Sequence, residues 1–514
     1  ILYKLKIDEN TLRRRNITAQ PTEYMKKIMG ETVDTAAVRK FSKPLTADTA
    51  KKQDDFFQTE FANEKKDNNA AATTPVAGNE TAPRNNILKT LKQYRYKPPK
   101  FSAEYGSVGL TSGSSVLINR FQPYGGGAGP ITLNSSTPLN GLIRLGTVEL
   151  LEDQRISGGF RISTNLKDNE WFMTYQNYKR RIDWGLTYYR NVQQVGDNFG
   201  NFIGRLYTNL YQVNVAYPFD ETKSLRLTTG IRSDKIVTAS QDPGTLVAED
   251  DKRLYSTTRL EYVYDNSLNP TLNIWNGLRY KFYIDWNRQV NKVKFADGPT
   301  TFNFGFDGRY YYPILRNFIW AGRVAGDFSW GNQKIIYYLG GVDGWLMFGQ
   351  NQKYDQNGVL IKERYFNTSN PPDPDQDYAF QSLAVNMRGY IQNVANGNNA
   401  VVINSEFRLP VFTTLLNRPI NNSFLRNFQI IQFFDFGTAW NGAYDKFKRP
   451  EVVYGNPPLQ VKVKAGGLGP FAGGYGFGAR STLLGYFVKF DAGWPMTGFF
   501  KGSPILYVSL GLDF

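Results

Sequence analysis

The chain has 514 residues, 41% of them hydrophobic, with 61 Lys and Arg against 45 Asp and Glu, a formal net charge of +16. It contains no Cys and no His, which excludes disulfides, thiolate nucleophiles, Cys/His zinc sites and imidazole general bases. Much of the basic excess lies in the first 100 residues and in scattered loop positions, with no single basic helix, which argues against a nucleic-acid groove.

Residues 1–20, ILYKLKIDENTLRRRNITAQ, alternate at strand period around a turn at Asp8-Glu9-Asn10. The segment resembles the closing strands of a TolB-like β-propeller blade and reads equally as an ordinary hairpin. Starting at Ile1 without Met, the chain is expected to be a mature form or a piece of something longer. Residues 21–95 are rich in Lys, Asp, Asn, Thr and Ala and poor in branched apolar residues, as in TPVAGNETAPRNN. Such a composition buries too little surface to offset its ordering entropy, so a linker is expected, with a short helix around Thr22–Met29.

From residue 96 onward, strand-period segments recur to the end. One falls within 101–121, followed by 140–150, 154–163, 168–177, 181–190, 206–217, 222–232, 254–264, 277–288, 301–312, 317–330, 399–409, 426–440, 474–482, 485–494 and 504–514. Trp171, Met173 and Tyr175 share one face, as do Leu278, Tyr280, Phe282 and Ile284. Sixteen is an even number, as a closed single-chain barrel requires, and no apolar run approaches the roughly 18 residues of a membrane helix. Short connections (Leu151–Asp153, Tyr178–Arg180, Pro218–Glu221, Pro313–Arg316, Leu483–Leu484) alternate with long ones (Gln122–Leu139, Asn191–Arg205, Ser233–Arg253, Gly331–Asn398, Asn441–Gly473). That alternation predicts short periplasmic turns, long outer loops and a periplasmic N-terminus. Pro410–Leu425 is the exception, long where a short turn is expected. Aromatics at 15%, with 32 Tyr, 36 Phe and 48 Gly, suit strands of which one face meets lipid; the competing reading is a soluble all-β protein.

The chemistry concentrates in Ala379–Trp440. A loop carries Arg388-Gly389-Tyr390, and the two strands that follow it each carry one acid, Glu406 in NSEFRLP and Asp435 in FFDFGTAW. An arginine and two carboxylates on neighbouring elements predict a loop folded inside the barrel with its charge paired. The chain closes on ILYVSLGLDF, where Tyr507, Leu510, Leu512 and Phe514 resemble the C-terminal signal of outer-membrane barrels. Trp440, Trp494 and Tyr507 are expected in the interface girdles. PPDPDQD (Pro371–Asp377) lacks the spacing of a calcium loop and reads as a solvated acidic loop.

In their order, MRGY, NSEFRLP, FFDFGTAW, YGFGARSTLLGYFVKFDAGWP and the final aromatic strand resemble the BamA/TamA-like (bacterial surface antigen) superfamily, specifically over about 330–514. The resemblance implies a sixteen-stranded outer-membrane barrel of a Gram-negative cell. Arg388 would be held in the lumen by Glu406 and Asp435, with Gly389 giving a tight tip and Tyr390 packing on the wall. Two features depart from the family. No POTRA domains are visible, the linker and propeller-like segment standing in their place, as in propeller-plus-barrel members of Bacteroidetes-type envelopes. A long insertion also separates YYLGGVDGWL from MRGY, so client delivery must follow another route.

The fold class is therefore all-β: a sixteen-stranded antiparallel transmembrane barrel over 96–514, preceded by a linker and the end of a propeller. The resemblance implies assembly, insertion or translocation of outer-membrane or surface proteins through a weak seam between the first and last strands, at which Gly511 hints. The alternative is a non-catalytic barrel anchoring a periplasmic propeller or a surface partner. Expected partners are outer-membrane lipid, lipopolysaccharide and envelope proteins, with no cofactor, no metal and no nucleic acid. No Ser or Lys constellation suggests a hydrolase.

Overall fold

A computed structural model describes residues 2–3, 93–94, 100–112, 121–124, 139–163, 166, 168–196, 202–240, 243–247, 249–291, 298–315, 317–349, 351–354, 360–416, 419–443, 451–454, 461–464, 471–496 and 502–513. The chain divides into two units, Ile1–Pro98 and Pro99–Phe514. In the first, Leu2–Tyr3 pairs antiparallel with Gln93–Tyr94. The rest of the propeller-like segment and of the linker, including 22–29, lies outside the described residues, as does Phe514.

The second unit is a barrel of sixteen long antiparallel strands. They are β1 Phe101–Ser112, β2 Leu139–Glu149, β3 Gln154–Ser163, β4 Asn169–Asn177, β5 Asp183–Gly196, β6 Phe202–Pro218, β7 Lys223–Thr238 and β8 Asp251–Asp265. The second half comprises β9 Ile274–Gln289, β10 Thr300–Leu315, β11 Phe318–Gly331, β12 Asn399–Pro410, β13 Gln429–Trp440, β14 Ala472–Leu483, β15 Tyr486–Pro495 and β16 Ile505–Leu510. Each pairs with the next, and β16 returns to β1. A short strand, Leu268–Thr271, hangs on the β8–β9 connection.

Side-chain alternation produces two environments. In β9, Tyr283, Asp285, Asn287 and Gln289 are buried inward, while Phe282, Ile284 and Trp286 are exposed on the outer face. The same outer face carries Tyr211, Val213, Leu225, Leu227, Ile231, Ile403, Ile430, Phe477 and Phe490, an apolar belt suited to hydrocarbon. No helix among the described residues is long and apolar enough to cross a membrane, which says nothing of a β-barrel.

Several strands run further than their apolar alternation predicts. The segments read as 181–190, 206–217 and 222–232 extend to Gly196, start at Phe202 and reach Thr238. At these ends the outer face turns polar, so the pattern fades while the backbone ladder continues. The long Pro410–Leu425 connection holds two short helices, α1 Val411–Leu415 and α2 Ser423–Arg426. The Asn422 side chain caps α2, accepting from the N–H groups of Phe424 and Leu425.

The β11–β12 connection folds into the lumen as a small sheet that strand periodicity did not foretell. Lys334–Leu339 pairs in parallel with Tyr378–Leu383 and antiparallel with Ala395–Gly397, while Gln122–Pro123 from the β1–β2 connection completes the other side. One face packs Ile335, Tyr337, Leu339 and Phe380 onto Tyr255, Ala400, Val402 and Ala472 of the barrel wall. Tyr337 also donates its hydroxyl to Asn303 Oδ1 of β10 at 2.9 Å. The Arg232 guanidinium lies over the Phe380 ring at 4.6 Å and donates to the Phe121 carbonyl at 2.8 Å.

Candidate functional site in the barrel lumen

The inner sheet delivers residues 387–390 to the wall formed by β12–β15. Arg388 is buried and grips Asp435 of β13 three times: its backbone N–H and Nε donate to Oδ2 at 2.9 and 2.7 Å, and Nη2 donates to Oδ1 at 2.9 Å. Nη2 also lies 2.7 Å from Glu406 Oε1 on β12. The guanidinium carbon stands 3.8 Å from the centre of the Phe433 ring, so one face is stacked while the edge is hydrogen-bonded. Asn404 donates to Asp435 Oδ1 and to the Asn386 carbonyl, both at 2.8 Å, tying the approach to the loop to the same carboxylate.

Gly389 has φ +95°, and a Cβ there would stand 2.7 Å from the Trp494 carbonyl oxygen. Its neighbours are glycines for the complementary reason. A Cβ on Gly474 of β14 would overlap the Arg388 carbonyl oxygen, and one on Gly493 of β15 would stand 2.6 Å from the Gly389 nitrogen. Backbone therefore packs on backbone, and the loop seats only because three side chains are missing.

The charges continue beyond the predicted trio. Arg408 donates to Glu406 Oε2 at 2.9 Å and to the Asn273 carbonyl at 3.3 Å. Arg480 forks onto Asp491, at 2.9 and 3.1 Å, and donates to Asp513 at 2.9 Å; Lys489 stands 3.7 Å from the same Asp513. Arg388, Arg408, Arg480 and Lys489 thus face Glu406, Asp435, Asp491 and Asp513, four cations against four carboxylates. Charges taken this far from water are tolerated because each has a partner. Beside them lies a polar cavity of about 810 Å³, lined among others by Arg259, Lys281, Arg309, Arg323 and Asp327.

The placement of Tyr507 corrects the sequence reading. It is not a girdle residue: it is buried in the lumen, where its hydroxyl accepts from the Gly389 N–H at 3.0 Å and donates to the Tyr390 carbonyl at 2.7 Å. Leu506, Val508, Leu510 and Leu512 form one apolar face of this strand, and Tyr507 shares the other with Ser509, which is buried inward beside it. Trp440 and Trp494 lie on the outward-facing parity of β13 and β15, and Trp494 stacks on Tyr475 at 6.2 Å. Leu510 ends β16, Gly511 follows at φ +111°, and Leu512 is partly exposed. Arg408 was legible at two residues from Glu406, on the same face of one strand. Arg480 and Asp491 meet across the β14–β15 hairpin, whose register sets Asp491 opposite Gly478, and Asp513 joins them just past β16. Among the described residues no group of His, Cys, Asp and Glu could hold a metal ion, Asp373, Asp375 and Asp377 included.

No model of a known protein family matches the chain, and no curated protein matches it. Among solved structures it is similar to BamA from Haemophilus ducreyi lacking POTRA domains 1–3, with 12% identity, TM-score 0.46 and coverage of 79% of this chain and 69% of that one. It is also similar to CdiB from Escherichia coli, with 12% identity, TM-score 0.41 and coverage of 82% and 64%. CdiB from Acinetobacter baumannii gives 11% identity, TM-score 0.40 and coverage of 82% and 61%. The matched part spans less than two thirds of either CdiB chain.

Proposed function

We propose that this chain is an outer-membrane barrel that assembles, inserts or translocates envelope proteins, taking an extended client strand at the seam between β16 and β1. The observation that carries this reading is a mismatch in strand length. β1 has twelve residues and β16 six, so six residues of the β1 edge remain beyond any ladder with β16. Of the β1 residues, Tyr105, Val108 and Leu110 are exposed large apolars, Val108 at 81%. A long, unpaired, apolar edge is a template for another strand. No covalent step is assigned to the barrel: its work is pairing and release, with the seated loop holding the wall that adjoins the seam on the β16 side. Its partners in this reading are outer-membrane lipid, lipopolysaccharide and envelope proteins, and its N-terminal segment is periplasmic.

The packed lumen favours a second reading, a rigid barrel anchoring a propeller or surface partner. Depleting the protein in its host and quantifying all outer-membrane barrels and surface lipoproteins separates the two. A broad or selective fall with envelope stress is expected for the assembly role; unchanged levels of every other such protein would leave only the anchor.

A further inference from the structure

Successive residues of a strand direct their backbone hydrogen-bonding groups to opposite neighbours. Just past β16, the Gly511 N–H donates to the Phe487 carbonyl of β15 at 2.9 Å. Residue 511, and by alternation 509 and 507, therefore address β15, in keeping with the pairs Ser509↔Lys489 and Tyr507↔Asp491. Residues 506, 508 and 510 must then address the other edge, where β1 belongs. At that edge the Leu346 N–H donates to the Val508 carbonyl at 2.7 Å, and Trp345 forms an antiparallel bridge with Ser509. A piece of the inner loop thus lies along β16 as a miniature strand.

Side chains hold it there. The Trp345 and Tyr507 rings are 4.6 Å apart, and Tyr365 meets the other side of Trp345 edge-on at 5.2 Å. Val342 and Met347 join the same buried cluster, with Ile391 and Ile505 against it. Across the seam, the β1 N–H of Leu110 donates at 3.0 Å to the Tyr486 hydroxyl, a side chain doing what a strand carbonyl would do. A loop segment thus stands in for a strand on the β16 side, and a side chain satisfies one donor on the β1 side.

We propose that residues 344–347 are an internal cap on the edge of β16 that faces β1, competing with an incoming extended strand for the same backbone groups. This rests on the seam reading above and adds its regulation: the edge is available only in the fraction of molecules whose cap has lifted, and the apparent affinity for a strand falls by that fraction.

The chain has no cysteine, which makes the test clean. The flanking hydrogen bond makes Trp345 and Ser509 a pair of the closely approaching type, with Cα atoms ~4.5 Å apart, within disulfide reach. Full-length Trp345→Cys/Ser509→Cys protein in lipid vesicles is offered a photo-crosslinking peptide copying residues 101–112. Oxidation should form the disulfide and cut crosslinking to β16 about tenfold relative to the same reduced variant. Trp345→Ala, and Leu346→Pro, which lacks the donor N–H, should raise it several-fold above the wild-type level. A disulfide that forms without changing crosslinking overturns the cap and leaves the seam reading standing. Cysteines that fail to pair in the folded barrel overturn the placement of the cap. Absence of crosslinking to both β16 and β1 in every variant, including those with the cap weakened, overturns the seam reading itself.

Discussion

Arg388 concentrates the energetics of the lumen in one side chain. It satisfies Asp435 and Glu406, covers Phe433 and fixes the loop backbone through its own N–H. Arg388→Ala would leave two carboxylates short of a buried partner, a type of change that costs about 3–5 kcal/mol. The expected outcome is a barrel with unchanged strand content but a lower unfolding temperature, faster-fading heat-resistant migration on gels and a protease-sensitive loop. Unchanged migration and unchanged loop cleavage would show that the pairing contributes little. This trio was legible because the loop offers one arginine and each following strand one acid. Tyr507 was placed in a girdle by residue type, since an amphipathic ring suits an interface, although the strand period sets it with Ser509 opposite an all-aliphatic face.

At the level of elements, sixteen strands were readable because their inner and outer faces meet different solvents, which writes a period of two into the sequence. The inner sheet was not. Its strands are three to six residues long, or two in the β1–β2 connection, and are buried on both sides, so they carry no alternation. Gly474 of β14 is where wall and loop meet, and Gly474→Val tests their fit. The new side chain needs the space of the Arg388 carbonyl, so the loop should lift while β14 keeps its register with β13 and β15. Circular dichroism close to the parent's, together with new proteolytic cuts within 341–390, is expected. An uncut loop would mean that β14 yields instead.

Taken as a whole, the barrel unit is a polar lumen stoppered by a sheet with an apolar core of its own. That core packs Ile335, Tyr337 and Phe380 against Tyr255, Ala400 and Val402 and fills part of the lumen with side chains. In planar bilayers the purified barrel should therefore conduct far less than an open sixteen-stranded pore. Replacing Ile335 and Phe380 together by Ser should raise conductance by loosening the stopper, whereas a large steady current through the parent protein would contradict a stoppered lumen. Residues 1–20 were read from strand period and a resemblance, and the linker 21–95 from composition, which reports that a segment lacks a core but not what it joins.

One detail of the charge network bears on time rather than on structure. Tyr507 and Asp513 follow the other fifteen strands in sequence, yet they complete contacts begun much earlier, at Gly389, Tyr390 and Arg480. Until β16 docks, the loop tip lacks its hydroxyl partner and Arg480 lacks one of its two carboxylates. The loop can be firmly seated only after the last strand has docked on β15, so its seating marks the arrival of that strand. A barrel stalled partway through insertion would keep a loose, cleavable loop, distinguishable from the finished protein by any protease that samples the lumen.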